Sequence, residues 1–452
     1  MGGFVSNSEK LRNDMIGQRM QPKVRSHTIR EALDQPEGTS VTIMGWIANK
    51  SSIGGIKFAT VRDGSGFIQV ACKKDRVSEK AFADFESASR ESAVAVTGSI
   101  REDRRATGGK EISVTDFWVL APAEKWPITK SAVKSASYLY DKRHLAIRGK
   151  RASAILRIRA EVIYAAFDYF VENGFTLISA PTIVQNAVEG GATLFEINYF
   201  NKKAYLSQSA QLYEEAAITA FGKVFIFQPA FRAEKSKTNK HLTEFWMIEA
   251  EQAFAGQEEN LRLQEGLVRA MATRVIERRA DDLAILGRRL KFPEIPFPRV
   301  TYDEAREISV KNGVVFEWGE DLPTEAERIV SKQFDVPFFI TGYPLTARSF
   351  YHMTEETNEK VTRSADMIAP EGYGEIATGG QRIHDYKQLM DRIATQDLPT
   401  ESFEWYLELR RYGMPEHSGF GIGAERVTRW MCGLKHIRAT SLFPRTINRV
   451  KP

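Results

Sequence analysis

The densest group of chemically useful side chains lies in a basic loop between two apolar segments. Arg232 and Glu234 stand at the entrance of this loop, and Lys240, His241 and Phe245 stand at its exit. An arginine there can hold a phosphate through paired hydrogen bonds, other cations can meet further phosphates, and an aromatic ring can stack on a base. An ordinary hairpin with surface charge would share this pattern, so the segment alone only indicates a nucleotide site.

A second segment is rich in glycine. The run Gly419-Phe-Gly-Ile-Gly-Ala-Glu-Arg426 is typical of a strand that leads into a helix, with the arginine at the start of the helix. Glycines let the backbone lie close to a ligand, and an arginine at this place can reach a terminal phosphate. Together with the basic loop, this segment favours a nucleotide site over a merely charged hairpin.

The elements that must position these groups begin with a small β-rich region. Residues 26–120 show five short apolar runs separated by turns, and Ser78 to Ala88 has helical spacing between the third and fourth runs. This order predicts an OB-fold β-barrel, a fold that often binds single-stranded nucleic acid. Residues 121–137, which include two prolines, are typical of a linker.

Long helices and mixed strands follow in residues 138–452. Ala152 to Asn173 carries an apolar face at helical spacing, and Asn173 with Gly174 supplies a stop. Strand-like runs such as Val224 to Phe231 alternate irregularly with helices, which predicts an α+β domain. The sequence has neither a Rossmann glycine fingerprint nor a Walker loop, so nucleotide binding must depend on the two segments above.

The bulk composition limits the class of protein. The 452 residues are 42% hydrophobic and 27% charged with a net charge of +5, which is typical of a globular protein that can accept a polyanionic partner. No apolar run is long enough to span a bilayer. Cys72 and Cys432 are the only cysteines, so a disulfide framework and a multi-cysteine zinc site are excluded and a cytoplasmic location is expected. Residues 1–25 are interpreted as a flexible extension, and their short N-myristoylation-like pattern is discounted.

A third segment, Gly174 to Pro181, is a helix end followed by a strand broken by proline. In order and separation, this segment, the Phe-Arg-x-Glu run that begins at Phe231 and the Gly-x-Gly-x-Glu-Arg run that ends at Arg426 resemble the three signature motifs of class II aminoacyl-tRNA synthetases. The resemblance covers residues 26–452. It includes the barrel, where the aspartate, asparagine and lysine subgroup keeps its anticodon-binding domain. It implies a class II catalytic domain built on an antiparallel β-sheet flanked by helices.

The resemblance implies a role for each residue of the nucleotide site. Arg232 would grip the α-phosphate of ATP, and Arg426 would cover one face of the adenine and reach the γ-phosphate, which makes these two the catalytic arginines. Phe245 would stack on the other face of the adenine, and Glu234 would touch its edge. The implied ATP-binding set is Arg232, Glu234, Lys240, His241, Phe245, Glu375 and Arg426.

Two acidic residues are implied to hold Mg²⁺. Asp366 and Glu375 stand just ahead of the pair Gly379-Gly380, and carboxylate oxygens suit this ion. Ordinary surface charge is the alternative for either acid alone. The implied reaction needs no general base, because a carboxylate attacks the α-phosphorus, pyrophosphate leaves, and a tRNA ribose hydroxyl then takes the aminoacyl group.

The implied amino-acid site favours asparagine over aspartate. Glu189 and Gln211 would hold the α-ammonium, and Arg382 would meet the side-chain carbonyl oxygen. Aspartyl enzymes of the subgroup place a lysine where Glu214 stands, and that lysine neutralises the second carboxylate oxygen of the substrate. We expect the next residue, Glu215, to accept the amide NH₂ of asparagine, with Glu214 as the alternative reader.

Some positions depart from the pattern of the subgroup. In the barrel, Phe58 and Gln69 match a base-stacking aromatic and a uridine-reading glutamine, but the partnering arginine position is Ser51, with Lys50 beside it. We expect Phe58, Gln69 and Lys50 to contact the anticodon, although a plain barrel residue is the alternative for Phe58. In the catalytic domain, Gly380 stands where a serine usually helps to bind the metal.

These observations predict ATP-dependent ligation of asparagine to its tRNA through an asparaginyl-adenylate, with release of AMP and pyrophosphate. The expected partners are tRNA(Asn), asparagine, ATP with Mg²⁺, and a second copy of the chain, because Ala152 to Pro181 matches the segment that pairs across a two-fold axis in this family. Three alternatives stay open. They are an aspartyl enzyme that also charges asparagine tRNA, a tRNA-independent asparagine-activating or asparagine-synthesising paralogue, and a non-catalytic nucleic-acid-binding protein.

Overall fold

The structure, a computed structural model, describes residues 24–106, 108–129, 131–185, 194–235 and 238–452. The chain divides into two units, Met1–Ser135 and Ala136–Pro452. The N-myristoylation-like pattern lies outside the described residues, as does Glu189, which was expected to hold the α-ammonium. In the described ranges, no helix has the length and apolar character that crossing a membrane requires.

The first unit is a five-stranded barrel. Its elements are α1 (Ile29–Asp34), β1 (Ser40–Ile53), β2 (Ile56–Arg62), β3 (Phe67–Lys73), α2 (Glu79–Ser87), β4 (Ala93–Glu102) and β5 (Lys110–Ala121). The strands close in the order β1-β2-β3-β5-β4. Five strands with a helix between the third and fourth confirm the predicted OB-fold layout.

Alternation of side chains explains how β1 builds this barrel. Val41, Ile43 and Ile47 are buried in its core, whereas Trp46 is exposed on the outer surface, as a period of two residues requires. Gly45 allows a close approach of the neighbouring strand, because a Cβ atom there would lie 2.3 Å from the carbonyl oxygen of Arg62.

The second unit contains eleven further helices and eleven further strands in the described residues. The helices are α3 (Ala136–Asp141), α4 (Arg143–Ala146), α5 (Lys150–Glu172), α6 (Gln211–Phe221), α7 (Gln257–Arg278), α8 (Ala280–Leu286), α9 (Tyr302–Lys311), α10 (Thr324–Ser331), α11 (Tyr386–Thr395), α12 (Glu404–Arg411) and α13 (Ala424–Met431). The strands are β6 (Thr176–Leu177), β7 (Ile183–Val184), β8 (Glu196–Tyr199), β9 (Lys202–Leu206), β10 (Lys223–Phe231), β11 (Glu244–Ala253), β12 (Arg299–Thr301), β13 (Phe338–Thr341), β14 (Ser364–Ala369), β15 (Gly374–Gln381) and β16 (His417–Gly423).

Eight of these strands form one sheet in the order β12-β13-β14-β15-β16-β11-β10-β6. Neighbours run antiparallel from β13 to β10, and the two outermost pairs, β12 with β13 and β10 with β6, run parallel. Strands β7, β9 and β8 form a separate small sheet. The predicted α+β domain with a largely antiparallel sheet is confirmed.

Helix α5 covers one face of the large sheet. Its apolar face, which includes Ile158, Val162 and Phe170, packs into one hydrophobic core with α7 and the sheet. The helix ends as predicted, since Gly174 adopts φ +78° just after Asn173, a backbone conformation that favours glycine.

The two faces of the sheet differ in chemistry because side chains alternate along each strand. On β11, Ile248 and Ala250 belong to the hydrophobic core. Their neighbours Glu249 and Glu251 therefore lie on the opposite face, where both are buried. The sheet thus carries apolar groups toward the helices and charged groups toward the other side.

Candidate active site

A cavity of about 280 Å³ lies over the charged face of the large sheet. Its lining draws on β11, β15, β16, α6, the start of α13 and the loop that follows β10, so the sheet brings together segments that are far apart in the sequence. The predicted site residues that line it are Gln211, Arg232, Lys240, Phe245, Glu375, Arg382 and Arg426. Four other predicted residues, Glu215, Glu234, His241 and Asp366, are not among the lining residues.

One end of the cavity, which we name the nucleotide end, is built by Arg232, Phe245, Glu375 and Arg426. The guanidinium of Arg232 lies 5.5 Å from the ring centre of Phe245, and in the hairpin formed by β10 and β11 Phe245 pairs with Ala230, two residues before Arg232. Arg426, in the first turn of α13, donates a hydrogen bond to Glu375. This arrangement presents an aromatic surface and two arginines to one space, which is what a bound nucleotide requires.

Glu375 is ionised in this setting. Burial raises the pKa of Glu375, but Arg426, Lys240 and Arg232 together outweigh burial and lower the pKa to about 2. Lys240 is itself paired, since its Nζ donates to both carboxylate oxygens of Glu327 at 2.6 and 2.7 Å.

The exit of the basic loop differs from the expectation in one respect. Burial, with Arg426 and Lys240 nearby, lowers the pKa of His241 to about 4, so this imidazole is neutral near neutral pH. Neither His241 nor Glu234 lines the cavity. Their predicted contacts with ATP stay predictions.

The two carboxylates expected to hold Mg²⁺ are placed differently. Glu375 lines the cavity, whereas Asp366 is buried and accepts hydrogen bonds from Arg348 Nη2 at 2.7 Å and Thr378 Oγ1 at 2.8 Å. Glu375 is therefore the one of the two acids that lines the cavity, and a direct contact of Asp366 with Mg²⁺ stays a prediction. Thr378, which sequence reasoning left without a role, lines the cavity in front of Asp366.

The departure at Gly380 has a steric reason. A Cβ atom at this position would lie 2.7 Å from the carbonyl oxygen of Arg363 and 2.8 Å from Nδ1 of His352, so no serine fits here without a shift of the backbone. The hydroxyl is supplied two residues earlier by Thr378. Carboxylate and hydroxyl oxygens from Glu375 and Thr378 on one wall fit the hard-oxygen preference of Mg²⁺.

Asp321 is a further acidic residue that the sequence analysis missed. It lines the cavity, and burial raises its pKa to about 6, with Asp366 and Glu375 raising it and Arg348 opposing them. Asp321 lies in a loop before α10, in a region with no motif that would have marked it.

The other end of the cavity, which we name the amino-acid end, is lined by Gln211 and Glu214 from α6 and by Arg382 at the end of β15. Arg382 donates to Glu251 from Nη2 at 3.1 Å and from Nε at 3.2 Å. Burial raises the pKa of Glu214 well above its ordinary value, and the carboxylates of Glu249 and Glu251 raise it further. Its Oε1 has no hydrogen-bond partner among the described residues.

The glycines of β16 make room for these acids. Gly419 pairs with Glu251 and Gly421 pairs with Glu249 in the antiparallel ladder. A Cβ atom on Gly419 would lie 1.8 Å from Oε2 of Glu251, and one on Gly421 would lie 2.5 Å from Cε of Met247. The glycine-rich segment therefore serves both the nucleotide end, through Arg426, and the amino-acid end.

Glu215 does not face the cavity, contrary to the expectation that it reads the asparagine amide. It is fully buried, and its carboxylate accepts hydrogen bonds from Gln211 at 3.0 Å, Tyr406 at 2.7 Å and Arg410 at 2.5 Å. His417 Nε2 lies 3.0 Å from the same carboxylate. These partners from α12 and β16 hold the Glu215 carboxylate in the interior, whereas the neighbouring Glu214 lines the cavity.

In the barrel, the three residues predicted to contact the anticodon differ in their hydrogen-bond partners. Phe58 is half-buried on β2, opposite Ser51, and Gln69 on β3 donates to Glu111 at 2.8 Å. Lys50 donates to the carbonyl oxygens of Phe85, Glu86 and Ala88 at 2.6 to 3.1 Å.

Lys50 thereby caps the C-terminus of α2, where unsatisfied carbonyls attract a cation. An ammonium group has three N–H donors, and all three are engaged here. The prediction that Lys50 contacts the anticodon does not fit this geometry.

The sequence was compared with known protein families and structures. The family described as tRNA synthetases class II (D, K and N) matches residues 135–447, and the OB-fold nucleic acid binding domain matches residues 41–120. The chain belongs to the class II tRNA synthetases of the D, K and N group. The resemblance of its three segments to the signature motifs of this class is thereby confirmed.

Relatives of this class II synthetase include enzymes for asparagine. The asparagine–tRNA ligase of Desulforamulus reducens is 48% identical over 415 residues, which cover 91% of this chain and 96% of the relative. The asparaginyl-tRNA synthetase of Pyrococcus horikoshii, solved in complex with asparaginyl-adenylate, superposes with a TM-score of 0.91 at 41% identity and covers 95% of this chain and 100% of its own. The aspartyl tRNA synthetase of Entamoeba histolytica also superposes, with a TM-score of 0.82 at 27% identity, covering 96% of this chain and 94% of its own.

Proposed function

We propose that this class II synthetase ligates asparagine to its tRNA. ATP and asparagine react to give an asparaginyl-adenylate and pyrophosphate, and the asparaginyl group then passes to tRNA with release of AMP. The observation that carries the proposal is the meeting of Glu214 and Arg382 at the amino-acid end of the same cavity that holds Arg232 and Arg426. The asparagine–tRNA ligases among its relatives support the same substrate.

The nucleotide end would promote adenylate formation by positioning and charge. The guanidinium of Arg232 would hold the α-phosphate and stabilise the charge that develops when the asparagine carboxylate attacks phosphorus. Phe245 and Arg426 would enclose the adenine between an aromatic ring and a guanidinium. No proton needs to be removed from the attacking carboxylate, so no general base is required.

Mg²⁺ would be held by Glu375 with Thr378 beside it, and Asp366 would orient the threonine hydroxyl. When bound, the ion would neutralise charge on the phosphates. Arg348, which also lines the cavity, donates to Asp366, so the wall that faces the ion would be held in place before ATP arrives. Dependence of pyrophosphate exchange on added Mg²⁺ tests this assignment.

The amino-acid end would recognise the amide of asparagine with a donor for its carbonyl oxygen and an acceptor for its NH₂ group. Arg382 would donate to the carbonyl oxygen, and the carboxylate of Glu214 would accept from the NH₂ group. Aspartate would place a second carboxylate oxygen against Glu214, a like-charge contact in a buried site. We therefore move the proposed amide reader from Glu215 to Glu214, and Gln211 keeps its proposed place beside the α-ammonium.

The barrel would bind the anticodon of tRNA(Asn). Phe58 offers a half-buried ring for base stacking, a mode that OB-folds use with single-stranded nucleic acid. Gln69 keeps its carbonyl oxygen for a base while its NH₂ group is engaged by Glu111. Weaker charging by Phe58→Ala, with pyrophosphate exchange unchanged, is the expected sign of this role.

The enzyme would act as a homodimer in the cytoplasm. Tyr164 and Val171 on α5 and Leu177 on β6 are apolar residues with at least half of their surface exposed, and they belong to the segment expected to pair across a two-fold axis. Light scattering at micromolar concentration should give the mass of two chains, and an active monomer would contradict the dimer. Cys72 and Cys432 are buried thiols without a disulfide, which suits a reducing compartment.

One experiment separates the proposed function from its alternatives. ATP–pyrophosphate exchange is measured with asparagine and aspartate side by side, followed by charging of both tRNAs. We expect exchange with asparagine and charging of tRNA(Asn). Equal exchange with aspartate would favour the aspartyl alternative, and exchange without charging of either tRNA would favour the tRNA-independent paralogue.

A further inference from the structure

Helix α12 reaches the amino-acid end of the cavity without lining it. Tyr406 Oη donates to Oε2 of Glu215 at 2.7 Å, and Arg410 Nη2 donates to the same oxygen at 2.5 Å. Both side chains are buried, and neither is among the residues that line the cavity. Any influence of these two residues on a ligand must therefore pass through Glu215 or the backbone.

Glu215 in turn fixes the orientation of the Gln211 side chain. The Nε2 group of Gln211 donates to Oε1 of Glu215 at 3.0 Å, and Gln211 lines the cavity. An amide side chain has one donor end and one acceptor end. Because the donor end is held by Glu215, the carbonyl oxygen is the end that Gln211 offers to a ligand, and an ammonium group needs such an acceptor.

Arg410 also touches the strand that carries the second amino-acid ligand. Its Nε and Nη2 groups donate to the carbonyl oxygen of Ile383 at 3.0 and 2.9 Å, directly after Arg382. One guanidinium therefore fixes both the glutamate behind Gln211 and the backbone beside Arg382.

The groups around Glu215 keep its carboxylate ionised, so that it accepts hydrogen bonds. Burial alone would raise the pKa of Glu215, but Arg410 and His417 outweigh burial and lower it. A protonated Glu215 could turn its O–H toward Gln211 and reverse the amide. The buried guanidinium of Arg410, which is paired with Glu215, opposes that arrangement.

We propose that Tyr406 and Arg410 are positioning residues for the amino-acid substrate, which act by holding Glu215 so that Gln211 presents its carbonyl oxygen to the α-ammonium. The proposal rests on the proposed function in that Gln211 must bind the amino acid. It assigns to α12, a helix outside the cavity, control of affinity for the amino acid but not for ATP.

The test uses Tyr406→Phe in the full-length enzyme. This change removes one hydroxyl and keeps the ring, which packs edge-on against Phe350 at 6.2 Å between ring centres. Tyr302→Phe is the matched control, because Tyr302 is also buried, its Oη donates to the carbonyl oxygen of Glu320 at 2.7 Å, and neither of these two residues lines the cavity.

In steady-state pyrophosphate exchange, Tyr406→Phe should change the KM for asparagine but not the KM for ATP. We expect Tyr406→Phe to raise the KM for asparagine by about 3- to 10-fold, the net effect of losing one typical hydrogen bond, with the KM for ATP within about two-fold of the parent. Tyr302→Phe should leave both constants unchanged. Equal rises in both KM values, or no change in either, would overturn the proposal.

A double-mutant cycle supplies the second readout. If Tyr406 acts through Gln211, Tyr406→Phe should have little further effect in a Gln211→Ala background, whereas independent residues give additive effects. Arg410→Lys keeps a positive charge and should show the same asparagine-specific split if it folds. Additive effects of the two changes contradict the positioning role, whereas absence of asparagine-dependent exchange in the parent contradicts the proposed function itself.

Discussion

At the nucleotide end of the cavity arginine and lysine groups pair with individual acids, whereas at the amino-acid end acids outnumber bases. Glu375 pairs with Arg426, and Glu327 pairs with Lys240. Arg232 adds a further guanidinium over Phe245. The positive charge of this end suits a ligand that carries several phosphate charges.

The amino-acid end gathers four buried glutamates, Glu214, Glu215, Glu249 and Glu251. Two arginines pair with two of them, Arg410 with Glu215 and Arg382 with Glu251. Glu249 accepts from Ser209 Oγ at 2.5 Å and from the backbone N–H of Ala210 at 2.8 Å. Glu214 remains, and it lines the cavity.

Under the proposed function, this difference in charge between the two ends would direct ATP to one end of the cavity and the amino acid to the other. A phosphate-rich ligand finds cations already held in place, and an amino acid, which brings an ammonium group, finds acceptors. Burying an acid without a partner costs free energy, and Glu214 carries this cost as a raised pKa. The ligand that best relieves it is one that donates hydrogen bonds, as an amide does.

The largest expected effect lies at the nucleotide end. Arg232→Ala should lower the rate of ATP–pyrophosphate exchange by roughly 10²–10³, the usual loss when one contact to a developing charge is removed. Arg269→Ala is the matched control, because Arg269 lies over Phe292 at the same 5.5 Å but does not line the cavity. Near-normal exchange by Arg232→Ala would remove this residue from the site.

The next largest effect is expected at the amino-acid end, on the preference for asparagine over aspartate. Glu214→Gln should reduce the preference for asparagine over aspartate by roughly 10- to 100-fold, because a like-charge contact of this kind costs several kcal/mol. Glu215→Gln should instead weaken binding of both amino acids through Gln211 and leave their ratio unchanged. Exchange kinetics with each amino acid decide between the two glutamates, and full discrimination by both variants would refute this description of the pocket.

A smaller effect should appear with pH. Because the pKa of Glu214 is raised, its carboxyl group holds a proton to a higher pH than an ordinary glutamate. Protonated Glu214 can donate to aspartate, whereas ionised Glu214 repels it, so the preference for asparagine should increase as pH rises through this pKa. The ratio of kcat/KM values from mildly acidic to mildly alkaline pH tests this, and the same slope in Glu214→Gln would exclude Glu214 as its source.

The smallest effect is expected for a contact between α5 and the residues next to the nucleotide end. Arg159 Nη2 donates to Oε1 of Glu425 at 2.8 Å, and the other oxygen of Glu425 accepts from the backbone N–H of Trp246 at 2.9 Å. This link joins α5 to β11 and to the start of α13, where Arg426 lies. Arg159→Lys replaces a fork by a point charge and should raise the KM for ATP by about 2- to 5-fold.

Its control lies two residues earlier on the same helix. Arg157 pairs with a buried acid, Asp282, at 2.5 Å, outside the cavity. Arg157→Lys should therefore leave the KM for ATP unchanged while costing similar stability in thermal unfolding. If both variants shift the KM for ATP equally, the effect belongs to α5 as a whole and not to the link through Glu425.

The sequence alone determined the elements whose patterns are local. The alternating strands of the barrel, the apolar face of α5 and its end at Gly174 follow from spacing of two or 3.6 residues and from backbone preference. The basic loop and the glycine-rich segment marked Arg232, Phe245 and Arg426, and the structure brings these into one cavity. Such features could be predicted because each is encoded within about one element of the chain.

Only the tertiary structure decided the partners of individual charges. Arg410 lies 195 residues after Glu215, and its contact holds that glutamate away from the cavity, so that Glu214 becomes the proposed reader of the amide. Lys50 meets the end of α2 through three carbonyl oxygens, which no local pattern around Lys50 indicates. The reason is physical: a buried charge takes its partner from whichever segment folds against it, and that choice is made by the packing of distant elements.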